Sequence, residues 1–258
     1  MNYHEYLKRI KKGKIFLIFN RILLFILFIL LWQYFSNKNS INSFILSSPK
    51  KVIITLLNLY KQDNLFNHIF ATISETLIAF IITSFLSLLI SMYLYTHKKL
   101  SITLEPFLTI INSIPKVSLG PIIIIMFGTN KKSIIIMGIL ISIFVGIQNI
   151  FNGFNQTDKL KIKLMNSFDS SKKDILFKLV IPENKNVILN TLKINISMCL
   201  IGVISGEFLT SKMGIGYLML YGLQVFNLDL VMSGLLLIII ISIIMYYSIS
   251  LLISLYKK

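Results

Sequence analysis

Cysteine is almost missing from this sequence: Cys199 is the single one among 258 residues. It can close no internal disulfide, and it sits in an apolar run without metal-ligating neighbours, so a disulfide scaffold and a cysteine metal site are both excluded. Charge is scarce, at 14% of residues, and acids are scarcest, with 10 Asp and Glu against 26 Lys and Arg. The long apolar runs show no polar/apolar alternation, which excludes a transmembrane barrel. No G-x-x-x-x-G-K-[ST] stretch or other glycine-rich phosphate cradle occurs, so the chain is expected to hold no nucleotide and no other cofactor. His4, His68 and His97 fall at the N-terminus or at the edges of apolar runs. No run holds a Ser-His or paired-Asp set, which argues against an intramembrane protease.

What fills the sequence is hydrocarbon: 55% of residues are hydrophobic, and the mean hydropathy is +0.78. Several runs approach or exceed the ~20 residues that cross a bilayer. Only helices and closed barrels satisfy their backbone in lipid. The chain therefore reads as an all-α polytopic membrane protein, one membrane domain over residues 1–258. Six spans are expected, at residues 15–35, 69–95, 101–127, 133–152, 187–209 and 228–256. The first is basic and then apolar, too long for a signal peptide and without a small-residue cleavage site, so it reads as uncleaved. The third and fifth are weak in hydropathy. They carry Glu105, Asn112, Lys116, Asn190, Lys193, Asn195 and Glu207, and are expected near the centre of the bundle. Ser48 before Pro49 marks the start of a short amphipathic helix on the outer surface. The net charge of +16 reads as a topology signal rather than nucleic-acid binding. Placing both termini inside puts eighteen basic residues in inner segments and seven in outer ones.

Between the fourth and fifth spans lies a polar segment, residues 157–187. Thr157-Asp158 suits a helix cap. Leu160, Leu164, Met165 and Phe168 then fall on one helical face, with Lys159 and Lys163 beside them. Ser171 and Asp174 read as a capping box for a second helix, residues 172–180, whose Ile175, Leu176, Leu179 and Val180 share a side. Pro182 is expected to end it. Two short amphipathic helices and a sharp turn are more than an idle connection needs, which favours a docking element over a loop resting on the lipid surface.

Several stretches carry a resemblance. They are "LWQYF" with "FILSSPKKV", then "LEPFLTIINSIPKVSLGPIIIIMFG", the segment ending in Ile181-Pro182, and "GEFLTSKMGIGYLM" with Glu207, Gly214, Gly216 and Tyr217. In order and spacing they resemble the inner-membrane permease subunits of binding-protein-dependent ABC importers, in the nitrate, sulfonate, taurine and pyrimidine-precursor branch. The resemblance implies an importer-type permease fold with a cytoplasmic coupling hairpin, and two copies pairing around a path for a small solute. It also implies an ABC ATPase subunit docked on the hairpin and a solute-binding protein outside. Counting back from Pro182, the family's Glu-Ala-Ala positions fall on Lys163, Leu164 and Met165, and its turn glycine on Asp169. Lys163 reverses a charge there. Asp tolerates the left-handed region, so Asp169 is expected to preserve the turn.

The docking candidates are thus Lys163, Leu164, Met165, Phe168, Asp169, Ile175 and Pro182. Path candidates are the polar residues of spans three to five: Asn112, Ser113, Lys116, Ser118, Gln148, Asn149, Asn195 and Ser197. Ser and Asn also join membrane helices without lining anything. Lys116 stands apart, because a cation within a span needs a partner, protein or solute. Glu207 reads as a loop anchor. Secondary transporters and energy-coupling vitamin importers are the alternatives. The first do not require the hairpin and often show internal repeats that this chain does not; the outer Ser-Pro and Gly-x-Gly-Tyr segments speak against the second. The lysine count generates a test. A cysteine at Ser170 in a Cys199→Ser background should resist an impermeant thiol reagent in intact cells and react after permeabilisation; labelling of intact cells would invert the topology.

Overall fold

In a computed structural model of the chain, residues 16, 20, 23, 24, 26, 27, 29–36, 47–62 and 64–256 are described. Thirteen of the 21 residues of the first expected span are among them and are helical, while residues 15, 17–19, 21, 22, 25 and 28 lie outside. Trp32 donates from Nε1 to the Ser47 carbonyl at 2.7 Å. Helix α1, Pro49–Lys61, follows. Ser48 is its N-cap, accepting from the Lys51 amide at 3.2 Å, and proline sits in the first turn where a missing N–H costs nothing. Only Val52 of α1 is buried, and Ser233 donates to its carbonyl.

Two long helices set the frame, α2 (Leu65–Thr96) and α5 (Lys131–Asn155). Small and hydroxylic side chains meet along them at one offset. Thr83 faces Ser142 across 2.9 Å, and a Cβ on Gly138 or Gly146 would touch Ala79 or Ser87. A constant offset in the same sense means that α2 and α5 run parallel. The chain must therefore recross the bilayer between them. It does so as a broken span: α3 (Lys98–Ser113), a 3₁₀ turn (Lys116–Leu119) and α4 (Gly120–Phe127), bent by 90°. The expected straight third span is thus two helices. Ile114, before Pro115, is extended at φ −72°, ψ 134°, because proline disfavours helix in the residue preceding it.

Hairpin helices α6 (Lys159–Ser167) and α7 (Lys172–Ile175) follow α5. The chain then recrosses as α8 (Lys185–Thr210), turns through α9 (Ile215–Gln224) and crosses again as α10 (Leu228–Tyr256). Four helices, α2, α5, α8 and α10, are each long and apolar enough to span, and α3–α4 makes a fifth crossing. The centre is not where hydropathy put it. Helix α8 is central as expected, but its partner is α5, the most buried span. The broken pair α3–α4 lies at the side, with Phe107, Ile110, Ile125 and Met126 exposed. Helices α5 and α8 touch backbone to backbone. A Cβ on Gly202 would lie 2.6 Å from the Gly138 Cα and 2.8 Å from the Met137 carbonyl oxygen. Backbone cannot yield as a side chain does, so Gly202→Ala should cost about 1–3 kcal/mol or more. A lowered thermal midpoint and yield in detergent would register it; an unchanged midpoint would refute the packing.

Candidate functional site

Caps build the hairpin. Asp158 Oδ1 accepts from the Leu160 amide at 2.8 Å and starts α6. At its end the Ser170 amide donates to the Met165 carbonyl at 3.2 Å and the Asp169 amide to the Asn166 carbonyl at 3.0 Å, the Schellman closure. Asp169 holds its left-handed position at φ 51°, so the turn survives without glycine. Ser171 Oγ accepts from the Asp174 amide at 3.1 Å, and the Asp174 carboxylate reaches back to the Ser171 amide. Lys178 meets Asp174 at 2.6 Å; that contact, then the Ser171 hydroxyl, holds the Asp174 carboxyl below the usual carboxylate range.

Pro182 does not end the second helix. After α7 comes a π turn, Leu176–Val180, and then a helical turn, Ile181–Glu183. Ile181, just before the proline, keeps helical angles of φ −62°, ψ −49°. A proline ring clashes with the carbonyl four residues back, and the wider π turn relieves that crowding. The break comes at Asn184, φ −92° and ψ 14°.

The hairpin has an inner and an outer side. Ile175, Leu176 and Val180 are buried against Ile150 and Phe154, with Met165 and Leu179 packed around them. Met165 and Ile175, expected on the docking surface, are therefore anchors to the bundle. The opposite side of α6 is apolar and bare: Leu160 is 73% exposed, Leu164 59% and Phe168 74%. Lys163, Asp169 and Pro182 are exposed as well. The hairpin is closed at its base, where Asn184 Nδ2 donates to Thr157 Oγ1 at 2.8 Å and Lys161 pairs with Glu183 at 3.0 Å.

The path candidates divide. Asn112, Lys116 and Gln148 come together beside the helix break. Lys116 Nζ donates to Asn112 Oδ1 at 3.0 Å and to the Ile141 carbonyl at 3.4 Å, and Asn112 Nδ2 donates to Gln148 Oε1 at 2.5 Å. Among the described residues no carboxylate lies within ion-pair reach of Lys116. Ser113 and Ser118 are exposed and donate to carbonyls of their own turns, Thr109 and Pro115. Ser197 does likewise to Lys193, and Asn149 is half-buried on α5. Asn195 is fully buried, donating to Ser84 at 3.4 Å and lying against Gly146; it joins α8 to α2 and α5 on the other side of α5.

At the far end of the spans Glu207 is the expected loop anchor. Its Oε1 accepts from Thr72 at 2.6 Å and its Oε2 from the Gly216 amide at 2.6 Å. The Ile215 amide donates to Thr72 Oγ1 at 2.9 Å, and the Gly214 amide lies 3.0 Å from His68 Nδ1. Gly214 has φ 108°, and a Cβ on it would fall 2.3 Å from the Glu207 carboxyl carbon, so only glycine fits. Glu75, buried at 3% exposure with Oε2 unpartnered, was not anticipated. Its signal was the α2 stripe of Thr72, Thr76, Ala79, Thr83, Ser87 and Ser91 at three- and four-residue spacing, which the high overall hydropathy masks.

With this geometry in hand, residues 83–258 match the family of binding-protein-dependent transport system inner membrane components. The chain belongs to this family. A probable ABC transporter permease protein of Haemophilus influenzae is 27% identical over 221 residues, 86% of this chain and 89% of that protein. The formylaminopyrimidine transport permease protein ThiX of Halalkalibacterium halodurans is 24% identical over 76% of this chain and 77% of its own. The putative aliphatic sulfonates transport permease protein SsuC of Bacillus subtilis is 22% identical over 80% and 75%. The fold is shared with a chain of the inward-facing MetNI methionine ABC transporter, at TM-score 0.64 and 16% identity over 75% of this chain and 96% of that one. This is thus a multi-pass membrane permease of an ABC importer, whose relatives include permeases named for formylaminopyrimidine, aliphatic sulfonates and taurine. In such a permease an unpaired span lysine has a measurable signature. Lys116→Met strands no buried carboxylate, so folded yield should stay near wild type rather than show the 3–5 kcal/mol loss of a broken buried pair. Uptake should fall at least roughly tenfold, the effect of losing about 1.4 kcal/mol. Loss of folded protein, or normal uptake, would remove Lys116 from the path.

Proposed function

We propose that this permease carries a small anion, such as a sulfonate, delivered by an external solute-binding protein, and that two copies pair around the path. The lone Lys116 ammonium at the break of α3–α4 supports an anionic solute, and relatives named for aliphatic sulfonates and taurine agree. Both termini and the hairpin face the cytoplasm, as the lysine distribution favours. ATP is bound and hydrolysed by a separate ATPase subunit, and this chain contributes no nucleotide site of its own.

The observation that carries the coupling role is the bare stripe Leu160, Leu164 and Phe168, on a helix whose other side meets the bundle through Ile162 and Met165. An unpartnered apolar ridge on such a helix suits a groove on a soluble subunit. Closing of the ATPases would push on the hairpin, and the helical path through Ile181–Glu183 into α8 would carry that push into the spans. The test is copurification. Leu164→Ala with Phe168→Ala should lose the ATPase, since two anchors at ~2 kcal/mol each amount to several hundredfold in affinity. Asp169→Pro cannot adopt the left-handed turn and should do the same, while Asp169→Gly should bind normally. Insertion should be unaffected in all three. If the double variant and Asp169→Pro both retain the ATPase and transport at the wild-type rate, the hairpin is not the docking element.

A further inference from the structure

A cavity of about 560 Å³ opens at the hairpin end of the spans, on the side of α6 turned away from the docking ridge. Lys159, Ile162 and Asn166 of α6 line it, three and seven residues apart, whereas Leu160, Leu164 and Phe168 point the other way. Across the cavity stand Lys98, Ser101 and Glu105 of α3, and Lys172 of α7. Three lysines thus face one glutamate. Among the described residues none of the three lies within 4 Å of a carboxylate, the ion pairs being Lys161–Glu183 and Lys178–Asp174. The inner wall is apolar and firm: Phe151, Phe154 and Ile175 are buried. On the outer wall Ile102 is 62% exposed and continues the bare apolar surface of α3 through Phe107 and Ile110.

We propose that this cavity binds the phosphate headgroup of an anionic phospholipid, seated between α3 and the hairpin with its acyl chains along α3. A cationic pocket between spans at the level where they end is the setting in which acidic lipid headgroups are held. The volume is that of a small-molecule site. A free phosphate would use the lysines but not the apolar exit past Ile102, and a zwitterionic lipid would use the exit but not the net positive charge. A lipid held here braces α6 from behind, because the same helix presents the docking ridge on its far face. This inference does not require the ATPase reading, and binding to the permease alone tests it.

The experiment uses the full-length permease, purified in neutral detergent and titrated with phosphatidylglycerol, phosphatidylcholine or inorganic phosphate. Native mass spectrometry counts retained lipid, and thermal unfolding follows the shift. Phosphatidylglycerol should be retained and should raise the midpoint; phosphatidylcholine and millimolar phosphate should not. Each lysine near an acidic headgroup is worth about fivefold, so Lys98→Gln, Lys159→Gln and Lys172→Gln together should weaken retention by about two orders of magnitude. Removing the same charge at the opposite end, with Lys131→Gln, Lys132→Gln and Lys212→Gln, should leave it unchanged. Asn166→Trp fills the cavity while keeping every charge, and should also abolish retention; it decides the matter should the triple variant fold poorly. Equal retention of phosphatidylcholine, an equal shift with inorganic phosphate, or full retention by the cavity variants would overturn the proposal.

Discussion

The contact on which the rest of the structure depends is backbone against backbone, at Gly138 and Gly202. Lipid offers no hydrophobic drive for helix association, so spans hold together by close van der Waals approach and hydrogen bonds. The α5–α8 crossing supplies the first, with no room for a Cβ. The second comes from the parallel α2–α5 seam, where Thr83, Ser142, Ser91 and the Ile147 carbonyl bond across the interface. Once those three helices are fixed, the path of the others follows. A parallel α2–α5 pair forces a crossing between them, and the antiparallel α8 brings the hairpin to one end and the Glu207 clasp to the other.

The two ends differ in how they are tied. At the clasp, one carboxylate joins α8 to α2 through Thr72 and to the first turn of α9 through the Gly216 amide. At the hairpin, anchoring is apolar, through Ile175, Leu176 and Val180 on Phe154, with polar bonds only at the base. Directional bonds define one geometry, whereas apolar packing tolerates small sliding. Under the proposed coupling role, that division would let movement enter at the hairpin while the clasp keeps the spans together.

Much of this was legible in the sequence, and the misses have physical causes. Caps and turns are local, so Ser48, Asp158, Ser171 and the left-handed Asp169 could be read from neighbouring letters. Hydropathy located the spans but not their order in the bundle: it put α3–α4 at the centre, because polarity in a span signals either burial or a break, and here Pro115 made it a break. Pro182 misled for a related reason. A single residue's preference was overridden by a π turn that no letter announces. Met165 and Ile175 were assigned to the docking surface because periodicity shows which residues share a face but not what the face touches. Glu75 and its α2 stripe were hidden by the greasy residues around them. The lysine-centred trio was half visible: Asn112 and Lys116 are one turn apart, but only the fold brings Gln148 to them.

Cys199 is fully enclosed, its thiol held between Thr83 and Ser142 at the heart of the three-helix seam. An aqueous thiol reagent has no route to it while the bundle is intact. The unaltered chain is thus its own silent background for site-directed labelling: any cysteine introduced at a surface reports alone, and the sole native thiol reacts only when the seam opens. One residue, kept as wild type, therefore doubles as an internal gauge of whether the bundle has come apart.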